Sequence, residues 1–523
     1  MANNMNITEV RLLYVPLEND YKHTFYFANA AAQESYFKGR SKFTDADFSY
    51  QRKDGYIRYH RDYDELIAQG VNYVMYRNAA KSSKWYYAFI TKIEYVSDGK
   101  TNIYIETDVL QTWLFDYEVL PSFIEREHTN NDAVGGNTIP EGLETGEYIV
   151  NSNGVDTSDD RLAALEGEKM IVIAVSEDAN GNPVTGKYYG GAYSGLKYIP
   201  CATVGDAENI IKSYDAGKAE AIQCIFMVPS MLVSIDAGTG EIINSELPVT
   251  YEKSVGTAPT VIDGYTPKNK KLLTYPYTYL YVSNNQGSAA IYHNEKFYKG
   301  GARKFNVFGV LTPGCSVHIA PYEYNNTQVN WDEGINLGKY PICNWTSDVY
   351  TNWLTQNGIT LGMQALGGLG AIAGGVGALL TGAGAAVGVG AIVGGVGTIA
   401  NVIGQTTQRD IIPHQAHGNT NCGDVAFAGK ENTFSFKDMC IKAEYARIID
   451  EYFSMFGYKS NRVKRPFKNH RAEYWYTKTI DVNIDGMIPM EDMSKIKDCY
   501  NNGITFWKTP ANIQNYSVNN SIV

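Results

Sequence analysis

The chain has 523 residues, enough for several cores at roughly 100–200 residues per domain, so neither disulfides nor metals are needed to hold it folded. Charged residues make up 19 %, hydrophobic ones 44 % and tyrosine alone 40 residues, which excludes a disordered or fibrous chain and favours β-rich, interface-heavy structure. The net charge of −11 excludes a protein that coats nucleic acid through clustered positive charge.

The opening MANNMNITEVRLLYVP carries Glu9 and Arg11 early and has no basic stretch followed by an apolar one, so no signal peptide is expected. The cysteines Cys201, Cys224, Cys315, Cys343, Cys422, Cys440 and Cys499 are odd in number, widely spaced and without a Cys-x-x-Cys pair. Reduced, mostly buried thiols in a chain made in a cytosol fit that pattern. Residues 1–134 read as a β-rich domain. Asp54-Gly55 and Asp98-Gly99 each lie between runs rich in Tyr, Ile and Val, the strongest short hairpin signal. Residues 85–96 and 102–114 alternate apolar with polar side chains, the period of an antiparallel ribbon. A short helix is expected over 64–69, closed by Gly70 in a left-handed conformation.

Residues 135–341 change texture, with shorter segments and more Gly, Asn and Ser. Apolar runs at 170–175 and 221–228 flank a helical stretch at 206–215, one strand-helix-strand unit of a mixed α/β domain. No period of roughly 20–50 residues marks a solenoid. Residues 431–523 form a last region. There Ile441, Tyr445, Ile448, Ile449, Tyr452, Phe453 and Phe456 share one face of a 3.6-residue helix, ended by Gly457. Strand-like residues 474–482 follow.

Between these regions, within 342–430, lies a different compositional regime. Residues 349–408 are 60 consecutive positions without a charge, and 361–400 hold 14 of the chain's 50 glycines. A span of ~20 apolar residues crosses a bilayer as a helix, so this stretch is long enough to cross twice. Its apolar side chains are Leu361, Leu366, Leu369, Ile372, Val376, Leu379, Leu380, Val387, Val389, Ile392, Val393, Val396, Ile399, Val402 and Ile403. Gly370 with Gly374, Gly384 with Gly388, and Gly390 with Gly394 keep the Gly-x-x-x-Gly spacing that lets helix backbones approach in lipid. Yet glycine has nothing to bury, and each one costs ~1 kcal/mol in helix propensity. The segment is therefore poor both as a stable soluble helix and as a constitutive anchor, as expected of a part stored first and inserted later. Three other readings stand beside this one. A buried core hairpin would be weakly packed with so many glycines; a permanent transmembrane hairpin lacks flanking Lys or Arg; a flexible linker does not suit the interspersed Ile, Val and Leu.

Other motifs are weaker. Gly395, Gly397 and Ala400 match G-x-G-x-x-A, but no strand precedes them and no ribose-binding acid follows, so a dinucleotide site is rejected. His414, His417 and Cys422 lack a fourth ligand at zinc spacing, and no metal or cofactor is expected. Glu125 and Glu127 share a face if FIEREH is a strand, but paired surface charges are far commoner than a glycosidase pair. Neither G-x-S-x-G nor a phosphate-binding G-x-x-x-x-G-K-[ST] occurs, and no catalytic residue is expected. Residues 459–471, KSNRVKRPFKNHR, hold six basic side chains and no acid, a solvated or pairing face more often than a phosphate contact.

Four stretches carry a family likeness: LLYVPLENDYKHTFYF near the start, ETDVLQTWLFDYEVLPSFIEREH at 106–128, and EYARIIDEYFSMFGYKSNRVKRP and CYNNGITFW near the end. They resemble the tail-knob, or distal tail tube, proteins of phi29-like short-tailed bacteriophages, over about 1–130 and 430–510. The resemblance implies a non-enzymatic virion protein whose six copies form a hollow tube at the tail end. Antiparallel β domains from the two terminal regions would build the tube, with the mixed α/β domain between them. A Gly/Ala-rich loop inserted at 342–430, with its core at 357–408, would plug the lumen and leave it during infection to form a membrane pore. The implied partners are further copies of the chain, other tail and collar proteins, the host cell membrane, and genomic DNA passing through without sequence-specific contact. The implied locations are the host cytoplasm during assembly, the distal tail of the virion, and the host membrane during infection. Six chains at −11 carry −66, and an acidic lumen would repel rather than hold a passing DNA strand. Two other function classes compete: a pore-forming toxin or bacterial surface protein with a hydrophobic hairpin, which a secretion signal would favour, and a tail-associated hydrolase, which needs a convergent acid/base or nucleophile set.

Overall fold

In a computed structural model, residues 8–48, 55–78, 84–157, 169–214, 221–243, 249–284, 287–297, 301–309, 311–313, 317–337, 342–344 and 434–523 are described. They are β-rich with few helices and divide into two compact units. The first comprises 1–144, 268–271 and 447–523; the second comprises 145–267 and 272–446.

The first unit is built on a six-stranded antiparallel sheet in the spatial order Ser41–Phe48, Thr8–Leu13, Tyr73–Asn78, Tyr86–Ser97, Lys100–Thr107, Gly55–Tyr59. Alternation along the Tyr73–Asn78 strand sends Tyr73 and Met75 into one apolar cluster, with Phe37 and Phe89, and Val74 and Tyr76 into another, with Ile57 and Ile103. Period-two side-chain geometry makes one strand serve two cores. Asp98-Gly99 closes the Tyr86–Ser97 hairpin, with Gly99 at φ +67, as its sequence predicts. The other hairpin expectation is corrected: the strands flanking Asp54-Gly55 lie at opposite edges of the sheet, Ser41–Phe48 on Thr8–Leu13 and Gly55–Tyr59 on Lys100–Thr107. Turn residues bias local pairing, but register follows the buried face, and in the pairing adopted Ile57 and Tyr59 are 2 % and 0 % exposed.

The alternation read over 102–114 also stops early, at Thr107. Asp108 accepts hydrogen bonds from the backbone N–H groups of Leu110 and Gln111 at 3.1 and 3.0 Å and caps a helical turn at Val109–Thr112; capping outweighs strand extension there. Its second oxygen accepts from the Tyr73 hydroxyl at 2.7 Å. Burial pushes the Asp108 carboxyl up to about 6. The short helix runs over Tyr63–Ala68, and Gly70 follows at φ +60. A second helix, Ala30–Gly39, starts at Asn29, whose side chain accepts from the Ala32 N–H.

The two ends of the chain share one five-stranded sheet, ordered His23–Phe25, Ile504–Trp507, Tyr474–Ile480, Ser122–Glu127, Tyr458–Lys464. His23–Phe25 runs parallel to Ile504–Trp507 and every other pair is antiparallel. Trp507, fully buried, packs on Tyr474 at 4.5 Å between ring centroids, in the cluster that also holds Leu13 and Phe25. Behind the sheet His128 accepts from the Tyr476 N–H at 2.8 Å through Nδ1, so Nε2 carries the proton and donates to the Ser454 carbonyl at 3.1 Å. Burial holds its pKa down at about 3. The helix Met490–Asn502 buries Ile496, Cys499 and Tyr500 and ends at Gly503, φ +93.

The amphipathic helix runs over Ala443–Phe456, which corrects two of its expected face residues. Ile441 belongs to the preceding strand, Ser435–Ile441, and Ile448 is 64 % exposed while Ile449 and Phe453 are buried. Gly457 ends the helix at φ +63, and a Cβ there would meet the Glu127 carbonyl oxygen at 2.2 Å. Only glycine fits both that conformation and that approach.

The second unit packs three main sheets around one core. Lys169–Val175 and Ile222–Pro229 pair antiparallel, with Lys197–Cys201 and Ile342–Asn344 on either side. The expected helix runs over Val204–Ser213, its first turn closed by a reciprocal cap between Thr203 and Asp206. Ser435–Ile441 lies between Tyr148–Val150 and Thr278–Ser283, and Lys304–Gly309 between Val249–Ser254 and Val317–Tyr324.

Candidate functional site

The charge-free stretch 349–408, and with it every apolar and glycine position named for it from Leu361 to Ile403, lies outside the described residues, as do His414, His417, Cys422 and the Gly395, Gly397, Ala400 motif. The strands on either side of it are described. On the N-terminal side Ile342–Asn344 adds to the edge of the Ile222–Pro229 strand, pairing Phe226 with Ile342 and Cys224 with Asn344. On the C-terminal side Phe434 and Phe436 are fully buried in the apolar cluster that also contains Cys224 and Phe226. One flank thus pairs with a strand of that core, and the other places Phe434 and Phe436 in it.

Within the returning strand, inward alternation places Asp438 between the buried Phe436 and Cys440. A lone carboxylate in that row would be strongly unfavourable. Arg303 compensates it, and the pair is almost fully enclosed, at 1 % and 2 % side-chain exposure. The guanidinium donates to both carboxylate oxygens, at 2.9 Å from Nη2 to Oδ2. Its remaining N–H groups go to the Asn294 side chain at 2.8 Å and to the Gly256 and Thr257 carbonyls at 3.2 Å, so all five donors are used. Asp438 also accepts from the Val155 N–H at 2.8 Å. Gly154 leaves the space, since a Cβ there would come within 2.4 Å of the Asp438 Cβ. Sequence reading missed this clamp, because an arginine and an aspartate 135 positions apart leave no local pattern.

The other candidates resolve into structural pairs. Glu125 and Glu127 occupy the strand Ser122–Glu127 but face separate partners: Glu125 pairs with Lys478, while Glu127 is buried against Lys464 and accepts from the Phe467 N–H. A register irregularity in this strand, where residues 124 and 126 pair with consecutive partners, breaks the simple alternation that would converge them. Of the basic run, residues up to Lys464 form an edge strand; Lys464 pairs with Glu127, and Arg465 pairs with Glu118 at the surface. Lysine on an exposed edge discourages unwanted strand addition. The described cysteines Cys201, Cys224, Cys440 and Cys499 are free and buried, and burial pushes their thiols up to about 11 or 12; such thiols are unreactive. Among the described residues no group of three His, Cys, Asp or Glu is arranged to hold a metal, and no helix is long and apolar enough to cross a membrane.

Comparison with known proteins gives a consistent picture. The family described as "Bacillus phage phi29, Tail knob protein gp9, C-terminal domain" matches residues 243–521, more than half of the chain. "Caudoviral major tail protein N-terminus" matches residues 6–118. Full-length relatives include the tail knob protein gp9 of Bacillus phage B103, 28 % identical, and that of Bacillus phage phi29, 27 % identical, each over 98 % of both chains. Among solved structures the bacteriophage C1 tail knob protein, gp12, has the same fold, with a TM-score of 0.66, 12 % identity and coverage of 99 % of this chain and 100 % of that one. These relatives are structural proteins and not enzymes. The chain thus belongs to the phi29 gp9 tail knob family and is a structural virion component of a short-tailed phage.

Proposed function

We propose that six copies of the chain form the hollow distal tube of a short phage tail, that this tube conducts the genome, and that the stretch at 357–408 first plugs the lumen and then enters the host membrane as a pore. The observation that carries this reading is a charge-free run of 60 residues in a tail knob protein, preceded by a strand that pairs with Ile222–Pro229 and followed by Phe434 and Phe436 in the core to which that strand belongs. In such a tube the stored segments pack against one another. Six apolar segments exposed together would exceed the few hundred Å² of contiguous apolar surface that a soluble particle tolerates. Storage need not be deep, because a glycine-rich backbone offers few side chains to interlock. In lipid, close approach through the Gly-x-x-x-Gly faces supplies packing that one segment alone lacks. The tube works beside other tail and collar proteins in the virion, after assembly in the host cytoplasm.

Deletion of residues 361–403, or Val376→Asp with Val393→Asp, tests the membrane step. Each mid-bilayer aspartate costs ~2.5–3.5 kcal/mol on insertion scales. Both variants should keep the oligomer mass of the parent, since neither touches the flanking strands, and both should lose dye release from liposomes. Undiminished release from the deleted chain would sink the membrane role, and a parent that stays monomeric at micromolar concentration would sink the tube.

A further inference from the structure

We propose that the first unit holds a binding site for a phosphate monoester on a small hydroxylated carrier, in the cavity bounded by Arg471, Lys268, Lys270 and residues 516–522. The cavity measures about 650 Å³, inside the ~300–1,000 Å³ usual for small-molecule sites. Arg471 is only 8 % exposed. Its guanidinium donates to the Thr129 carbonyl at 3.1 and 2.8 Å and to the Asn520 carbonyl at 3.3 Å, all neutral acceptors. One N–H on each terminal nitrogen is left over, and among the described residues no carboxylate lies within ion-pair distance. Arg303 in the second unit has a carboxylate and a partner for every N–H; Arg471 leaves two N–H groups unused and has only the longer-range attraction of Asp132 against its burial, an unfavourable position for an enclosed cation.

The neighbouring charges point the same way. Asp450 fixes the 268–269 backbone by accepting from the Lys268 N–H at 2.7 Å and the Asn269 N–H at 2.9 Å, which sets the two exposed lysines, Lys268 and Lys270, at the cavity. Neither ammonium has an ion-pair partner among the described residues. The one carboxylate in the lining, Asp132, already accepts from the Tyr458 hydroxyl at 2.5 Å and the Lys270 N–H at 3.2 Å. Three cations against one engaged carboxylate leave two positive charges, which match a phosphate monoester at roughly −1.5 to −2 near pH 7 better than a single carboxylate. The free guanidinium N–H pair suits a tetrahedral oxyanion. Ser517, Asn519 and Ser521 in the same lining are partners for hydroxyl groups on the carrier.

Calorimetric titration of the full chain with glycerol 3-phosphate, inorganic phosphate and glycerol is the test. Saturable binding is expected for the two phosphates, tighter for the ester, weakening as salt is raised, and none is expected for glycerol. Lys268→Gln with Lys270→Gln leaves the buried arginine and its bonds in place and should weaken both phosphates about tenfold, through lost charge-assisted contacts; Arg471→Lys should weaken them further. Should Arg471→Lys fail to fold, the double lysine variant still decides. Absence of saturable heat from either phosphate at millimolar concentration, equal binding of glycerol, or unchanged affinity in the lysine variant would each overturn the assignment.

Discussion

In the second unit one arginine meets one carboxylate, and the pair is sealed with no charge left over. The first unit encloses Glu141, its side chain 1 % exposed, between two cations, Arg126 and Lys271, and the same carboxylate accepts from the Lys459 N–H at 2.9 Å. Arg126 also reaches the Gly457 carbonyl at 2.7 Å and lies over the Tyr452 ring at 4.8 Å. The arrangement around Glu141 carries an excess positive charge that the arrangement around Asp438 does not. Such an excess is tolerable where one of the cations can give up its proton. Burial already holds the Lys271 pKa below its ordinary value, whereas an arginine stays charged at any accessible pH. Loss of the carboxylate should therefore be more damaging beside Arg303 than between Arg126 and Lys271.

The largest expected effect follows from Asp438→Ala, which strands Arg303. Breaking a buried pair from one side costs about 3–5 kcal/mol, and replacing both partners with apolar groups is often neutral. Chemical denaturation should show that loss for the single variant and recovery of most of it in Arg303→Met with Asp438→Leu; an Asp438→Ala chain as stable as the parent would contradict the clamp. Glu141→Gln should cost less, about 1–3 kcal/mol for unsatisfied buried donors. Its deficit should also shrink as pH rises. Without Glu141 the folded-state pKa of Lys271 falls further below its unfolded value, so over the window between them the unfolded chain binds more protons and stability climbs with pH. A deficit equal at pH ~7 and ~10 would rule out Lys271 as the group that adapts. The smallest effect belongs to Arg465→Ala. Its partner is Glu118, both side chains are 58 % exposed, and such pairs contribute about 0–1 kcal/mol, less still in high salt. A loss well above that range would place this surface pair with the enclosed ones.

What could be read in advance was local. Alternation and Asp98-Gly99 marked the Tyr86–Ser97 hairpin, and apolar spacing with Gly457 marked the Ala443–Phe456 helix. Two helices were legible and went unread. Met490–Asn502 has acids in its first turn, Ile496, Cys499 and Tyr500 on one face, and Gly503 at its end, while Ala30–Gly39 opens on Asn29. Pairing partners far apart in the chain were not legible. Asp54-Gly55 failed because its flanking strands pair with strands distant in sequence, Thr8–Leu13 and Lys100–Thr107. Arg303 with Asp438 and Lys271 with Glu141 are set by topology, for which spacing holds no record. Composition alone announced the charge-free stretch, because an absence of charge over 60 positions needs no partner to be visible.

That one flank of residues 345–433 pairs with the Ile222–Pro229 strand while the other places Phe434 and Phe436 in the core which that strand shares also bears on how tail knobs diverge. For an inserted stretch the entropy of closing its ends grows only with the logarithm of its length, roughly 0.6 kcal/mol per doubling. The second unit is therefore nearly indifferent to how long the insert is. The insert can be lengthened, shortened or exchanged while the flanking strands keep their register, so this part of the chain can change without disturbing the core beside it.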